Sequence, residues 1–144
     1  MVVKLCPDQI KQHWDLINQV FDVSFPESAM RTKTALLRDL TLDVANCWFY
    51  YDGNPEEIKA VFITRLNDDY TVGRKTLTII ASQALTHGGD EMFLECFSVV
   101  KKFAQGKDCE FIDFYTDNPA ILKYASLFNI FWQSTYTQIK LSDN

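Results

Sequence analysis

The sequence has little that would hold a soft metal, a nucleic acid or a bilayer. Its four cysteines, Cys6, Cys47, Cys96 and Cys109, form no C-x-x-C pair, and only His13 and His87 could join them as ligands. Buried reduced thiols in a cytoplasmic setting are therefore expected, and no metal site. No basic run is longer than Lys101-Lys102, in a chain of net charge −5. A field of that sign repels phosphate backbones, which excludes nucleic acid as the main ligand. Apolar runs such as residues 44–51 stop well short of the ~20 residues that span a bilayer, so no membrane partner is expected. Cys6-Pro7-Asp8 interrupts the N-terminus before a signal core of ~7–15 apolar residues could form.

No repeat, low-complexity tract or internal linker divides the 144 residues, so a single domain, 1–144, is expected. With 47% hydrophobic and 14% aromatic residues the chain has enough apolar surface to fold without a disulfide or metal staple.

Periodicity sets out the elements. After an apolar run at Val2 to Leu5, Pro7-Asp8-Gln9 opens a helical segment in which Ile10, Trp14, Ile17 and Phe21 share a face. Ser24-Phe25-Pro26-Glu27 ends it, and a second helix is expected from Ser28 through Leu40, with Met30, Leu36, Leu37 and Leu40 as its stripe. The period then changes to that of a strand at 46–51. A turn follows at Asp52-Gly53-Asn54-Pro55, a second strand at 58–66, a turn at Asn67-Asp68-Asp69 and a third strand at 71–84, an antiparallel meander. From Asp90 a long helix runs to Gly106, followed by a strand at 109–116, a helix from Asn118-Pro119 to about Leu127 and a last strand at 135–141. This order is an α/β (α+β) mixture.

Trp48, Phe49, Tyr50 and Tyr51 are consecutive, so on a strand both faces are aromatic at that point. Either helices cover both faces, or one face is a partner surface. Phe128, Ile130, Phe131 and Trp132 form a second aromatic cluster.

The meander ending in Leu77-Thr78-Ile79-Ile80-Ala81-Ser82-Gln83, the glycines His87-Gly88-Gly89 opening a long helix, and the segment Asp117-Asn118-Pro119-Ala120-Ile121-Leu122-Lys123-Tyr124 together resemble the GNAT superfamily of acyl-CoA-dependent N-acetyltransferases over nearly the whole chain. The resemblance implies a mixed, mainly antiparallel central sheet flanked by helices on both faces. It also implies acetyl-CoA as cofactor, held by Ala81, Gln83, His87, Gly88, Gly89 and Asn118, with Tyr124 protonating the departing thiolate. A helix start of this kind offers unpaired N–H groups and a positive dipole end to a diphosphate.

The chain departs from the family pattern in three places. Leu85 stands where the glycine loop begins with a polar residue, and Asp90 stands where it ends with a small one. Asp90 and Glu91 favour their own helix dipole and oppose an incoming diphosphate. No carboxylate lies between Thr71 and Gln83, which leaves Asp113, Glu56, Glu57 and His87 as candidate bases, and the Gly-Phe that follows the last helix in the family is missing. These departures set up two expectations. The first is a divergent, non-catalytic binding or assembly protein with a protein partner or self-association, to which family-level analogy adds a tailed-phage virion or accessory role. The second is an acetyl-CoA-dependent N-acetyltransferase acting on an amine.

Overall fold

In a computed structural model the described residues are 1–26, 30–53, 57–69, 74–86, 89–114 and Lys123, and Met1–Phe114 form one compact unit. Its elements are β1 (Val2–Lys4), α1 (Pro7–Gln12), α2 (Trp14–Ser24), α3 (Met30–Thr41), β2 (Ala45–Tyr51), β3 (Ile58–Asp69), β4 (Arg74–Ala84), α4 (Asp90–Gly106) and β5 (Phe111–Phe114). The strands form one sheet in the order β1-β2-β3-β4-β5, antiparallel except for the parallel pair β4–β5. This is the mixed, mainly antiparallel sheet expected from the sequence. The expected helix at 118–127 and strand at 135–141, with the aromatic cluster of Phe128 to Trp132, lie outside the described residues.

Both faces of the sheet are covered. On one, Ile10, Ile17, Val20, Phe21, Leu36 and Leu40 from α1, α2 and α3 pack against Cys47, Phe49, Val61, Ile63 and Ala81. On the other, Val100 and Ala104 of α4 pack against Trp48, Phe62 and Leu77. The aromatic run of β2 is divided accordingly. Phe49 is fully buried beneath α1–α3, and Trp48 stacks on Phe62 at 5.8 Å and meets Phe103 of α4 edge-on at 5.1 Å. For these residues the partner-surface alternative is overturned, because helices of the same chain occupy both sides. The Trp48 indole N–H, which would be costly to bury alone, donates to Thr64 Oγ1 at 3.0 Å.

Three boundaries differ from the periodic reading. The first helical segment is two helices, broken at His13 (φ −108°, ψ 18°), whose ring packs edge-on against Phe49 at 5.0 Å. In α3, Met30 is 77% exposed, so the buried stripe begins only at Leu36. The expected turn at Asn67-Asp68-Asp69 is strand, with Asn67 opposite Thr76 and Asp68 opposite Lys75. A cross-strand charge pair and a side-chain amide that bonds across the ladder outweigh the turn preference of these residue types there.

A β-bulge interrupts β4. Ile63 pairs with Ala81 while the next residue, Thr64, pairs with Ile79, so Ile80 is an extra residue with no partner on β3. The described β4–β5 pairing, Thr76↔Phe111 to Ile79↔Phe114, ends one residue before the bulge.

The Trp48–Thr64 hydrogen bond carries a stability prediction. Thr64→Val keeps the volume but strands a buried indole N–H, and should lower unfolding free energy by about 1–3 kcal/mol in urea titrations. A variant as stable as the wild type would show that water or another acceptor reaches the indole.

Candidate active site at the end of β4

The sequence-expected site residues separate into those the structure brings to one end of the sheet and those outside the described residues. His87, Gly88, Asn118 and Tyr124 belong to the second group. Ala81, Gln83 and Gly89 belong to the first.

Ala81 is 4% exposed, with its methyl group in the core beneath α1–α3. Only its backbone remains to offer a ligand. Two residues on, Gln83 buries its Oε1 without a hydrogen-bond partner, and Asn18 of α2 likewise buries Oδ1. α2 packs on β4, and an orphaned acceptor in such a place is unusual enough to need a reason. Asn18 was not singled out from the sequence, although a polar residue between Trp14 and Phe21 on an otherwise apolar stripe was a visible signal.

Gly89 caps α4 with extended backbone (φ −103°, ψ −169°) and supplies no side-chain acceptor to the first turn. Asp90 and Glu91 are the first helical residues, directly after the Gly89 N-cap. Both are exposed.

Beside this helix start lies a cavity of about 570 Å³ whose lining includes Asp52, Lys59, Gly89, Asp90, Glu91 and Glu95. Four of these are carboxylates. Of the cations in the lining, the Lys59 ammonium is held by Glu57 at 2.7 Å and the Met1 ammonium pairs with Glu95 at 3.1 Å. Tyr50 also lines the cavity, and its phenol is pushed up to about 12, first by desolvation and then by the charge and hydrogen bond of Glu95. It stays neutral across the physiological range.

A second polar group crosses the sheet on the α1–α3 face. Asp113 of β5 stands directly opposite Thr78 of β4 and accepts the Thr78 hydroxyl at 2.6 Å. Asn67 Nδ2 donates to Thr78 Oγ1 at 2.6 Å, Arg65 Nη1 donates to Asn67 Oδ1, and Arg65 Nε reaches Asp39 Oδ2 at 3.3 Å. Of the candidate bases, Asp113 is thus placed in a network, at the exposed position of the half-buried strand β5. Glu57 is paired with Lys59, while Glu56 and His87 lie outside the described residues. Nothing in the spacing of residues 65, 67, 78 and 113 announces this network, which only strand register creates.

Among the described residues no cluster of three or more His, Cys, Asp or Glu could hold a metal ion, and no helix is long and apolar enough to cross a membrane. The four cysteines are free, with Cys6 exposed and Cys47 buried.

No family model matches the chain, and no curated protein sequence does. Among solved structures, an aminoglycoside acetyltransferase from an uncultured soil metagenomic sample is similar at TM-score 0.74 and 11% identity, over 100% of this chain and 96% of that one. A second aminoglycoside acetyltransferase of metagenomic origin is similar at TM-score 0.71 and 19% identity, over 99% and 98%. The aminoglycoside acetyltransferase AAC(6')-Iy, solved with a CoA-based bisubstrate analogue, is similar at TM-score 0.71 and 11% identity, over 97% of each chain. The chain has the GNAT-like acetyltransferase fold.

Burial of the thiols gives a pH prediction. Desolvation pushes the Cys47 thiol up to about 12 from an ordinary value of 9.0, and Cys96 up to about 11. Between about pH 9 and 12 the unfolded chain therefore holds fewer protons than the folded one, so stability present below pH 9 is lost as pH rises. The urea midpoint should fall across that window, less steeply in Cys47→Ala. Equal slopes in the two proteins would remove Cys47 as a source.

Proposed function

We propose that the chain is a GNAT-superfamily N-acetyltransferase that transfers an acyl group from acetyl-CoA to an amine. The observation that carries this reading is the end of β4. There a bulge at Ile80 follows the last described β4–β5 pair, and the strand leads through a buried unpartnered acceptor on Gln83 to an α4 start whose N-cap, Gly89, carries no side chain. The full-length likeness to acetyltransferase structures supports it.

The residues present fit the cofactor. Gln83 Oε1 is free to accept an amide N–H from its pantetheine arm, and the Gly89 end of α4 offers backbone donors to its diphosphate. Ala81 would contribute backbone, and His87, Gly88 and Asn118 are the further cofactor-binding residues that the family resemblance implies. When bound, acetyl-CoA supplies the acyl group as a thioester. Asp113 takes the proton that the amine nitrogen gives up on acylation, and Tyr124 returns a proton to the departing thiolate sulfur. The net charge of −5 favours the approach of a cationic amine.

A second reading rests on Asp90 and Glu91, which place two carboxylates where the diphosphate would sit. In it the protein keeps the fold without the cofactor and serves binding or assembly, with a protein partner, a second copy or a phage particle as its setting. A cytoplasmic location accompanies either reading.

Calorimetric titration with acetyl-CoA separates the two. Saturable one-site binding is expected, with a thermal stabilisation of about 2.7 kcal/mol at 100 times the dissociation constant. The double variant Asp90→Asn, Glu91→Gln should bind about two- to fivefold more tightly per charge removed, following the ~0.3–1 kcal/mol dipole scale. Absence of heat and of thermal shift in both proteins would end the enzyme reading and favour the second. Tyr124→Phe should lower kcat with little change in stability, and undiminished turnover would discard the proposed acid.

A further inference from the structure

We propose that Thr78 is a positioning residue that fixes the Asp113 carboxylate for proton acceptance, as the last member of a directed hydrogen-bond relay from Arg65 through Asn67. The inference rests on the acetyltransferase reading and adds to it how the base is held.

The direction of the relay follows from donor chemistry. A guanidinium only donates, so the Asn67 oxygen must face Arg65, which turns the Asn67 NH2 toward Thr78. The Thr78 oxygen then accepts at 2.6 Å from Asn67, and its single proton is left to point at Asp113 Oδ1, also 2.6 Å away. Each member has one consistent orientation. Asp39 of α3, 16% exposed, anchors the far end by accepting Arg65 Nε and the Arg38 guanidinium, both at 3.3 Å.

The consequence at Asp113 is asymmetry between its two oxygens. Oδ1 is engaged by Thr78, which pins the carboxylate plane to β4, while Asp113 itself stays exposed. Oδ2 is the oxygen left to a substrate N–H. A carboxylate at an exposed position would otherwise rotate freely. Hydrogen bonds in series also polarise one another, so the positive charge of Arg65 is felt at Oδ1 through two neutral groups. Thr78 is 9% exposed and carries this relay across the β4–β5 ladder, one pair before the described pairing ends.

The test uses the full chain with acetyl-CoA and a panel of primary amines. Thr78→Val removes the hydroxyl while keeping the shape. It should lower kcat at least tenfold while leaving amine KM and acetyl-CoA affinity within about twofold, short of the ~10²–10⁴-fold loss expected of Asp113→Asn. Thr78→Ser should restore kcat to within about threefold. If Thr78 only ties β5 to the sheet, Thr78→Val will lower the melting temperature and leave the kcat of the folded protein unchanged, which overturns the inference while the acetyltransferase reading stands. A folded wild type that turns over no amine overturns the acetyltransferase reading and the inference with it. Should Thr78→Val fail to fold, Asn67→Ala removes the donor that orients the hydroxyl. Its kcat should fall severalfold, and an undiminished kcat would overturn the relay.

Discussion

One extra residue in β4 decides which side chains the rest of the molecule can use. Along a regular strand Leu77, Ile79, Ala81 and Gln83 would share a face. Because Ile80 bulges out of the ladder, Leu77 faces α4 while Ala81 packs beneath α1–α3. The strand thus serves two cores in sequence, and its second half turns Gln83 toward the side on which α2 packs. Removing the bulge would put Gln83 on the side of Leu77.

The same register makes the polar relay. Thr78 precedes the bulge and stands opposite Asp113, and β3 continues past its expected end so that Asn67 lies close enough to bond to Thr78. Had Asn67-Asp68-Asp69 formed the turn that their residue types favour, Asn67 would have been withdrawn from the sheet and Thr78 left without a donor. The ladder is therefore longer than propensity suggests in the place where its length brings polar groups together.

The sequence made the apolar framework readable because burial leaves a period. Val100 and Ala104 on α4, Ile17 and Phe21 on α2 and the two-faced aromatic run of β2 all take up the positions their spacing implies. The site was less legible. Gly89 could be placed at a helix start, but whether Asp90 capped the helix or began it depended on backbone angles that side-chain type does not report. Asp113 read as one carboxylate among several, since its distinction comes from Thr78 and Asn67, which lie 35 and 46 positions earlier in the chain. Periodicity says which face a residue takes and nothing about what stands opposite it.

The acidic start of α4 and the relay bear on the two ends of one proposed reaction, and their electrostatics differ in kind. At α4, Asp90 and Glu91 are exposed, so water and salt screen their opposition to a diphosphate, and the dipole and backbone donors of the helix remain. At the relay, Asp39 and Thr78 are largely withdrawn from solvent, and the orientation of each group is forced by what its neighbour can donate. On the acetyltransferase reading, two screened surface charges would weaken cofactor binding by a modest factor and leave the proposed catalytic geometry untouched. On the same reading, a part-buried relay that lost one member would leave binding intact and disorder the proposed base. Departure from a familiar loop pattern is thus weaker evidence against activity than it looks on the page, and an intact relay behind Asp113 is the feature that a protein kept only for its fold would have no catalytic need to preserve.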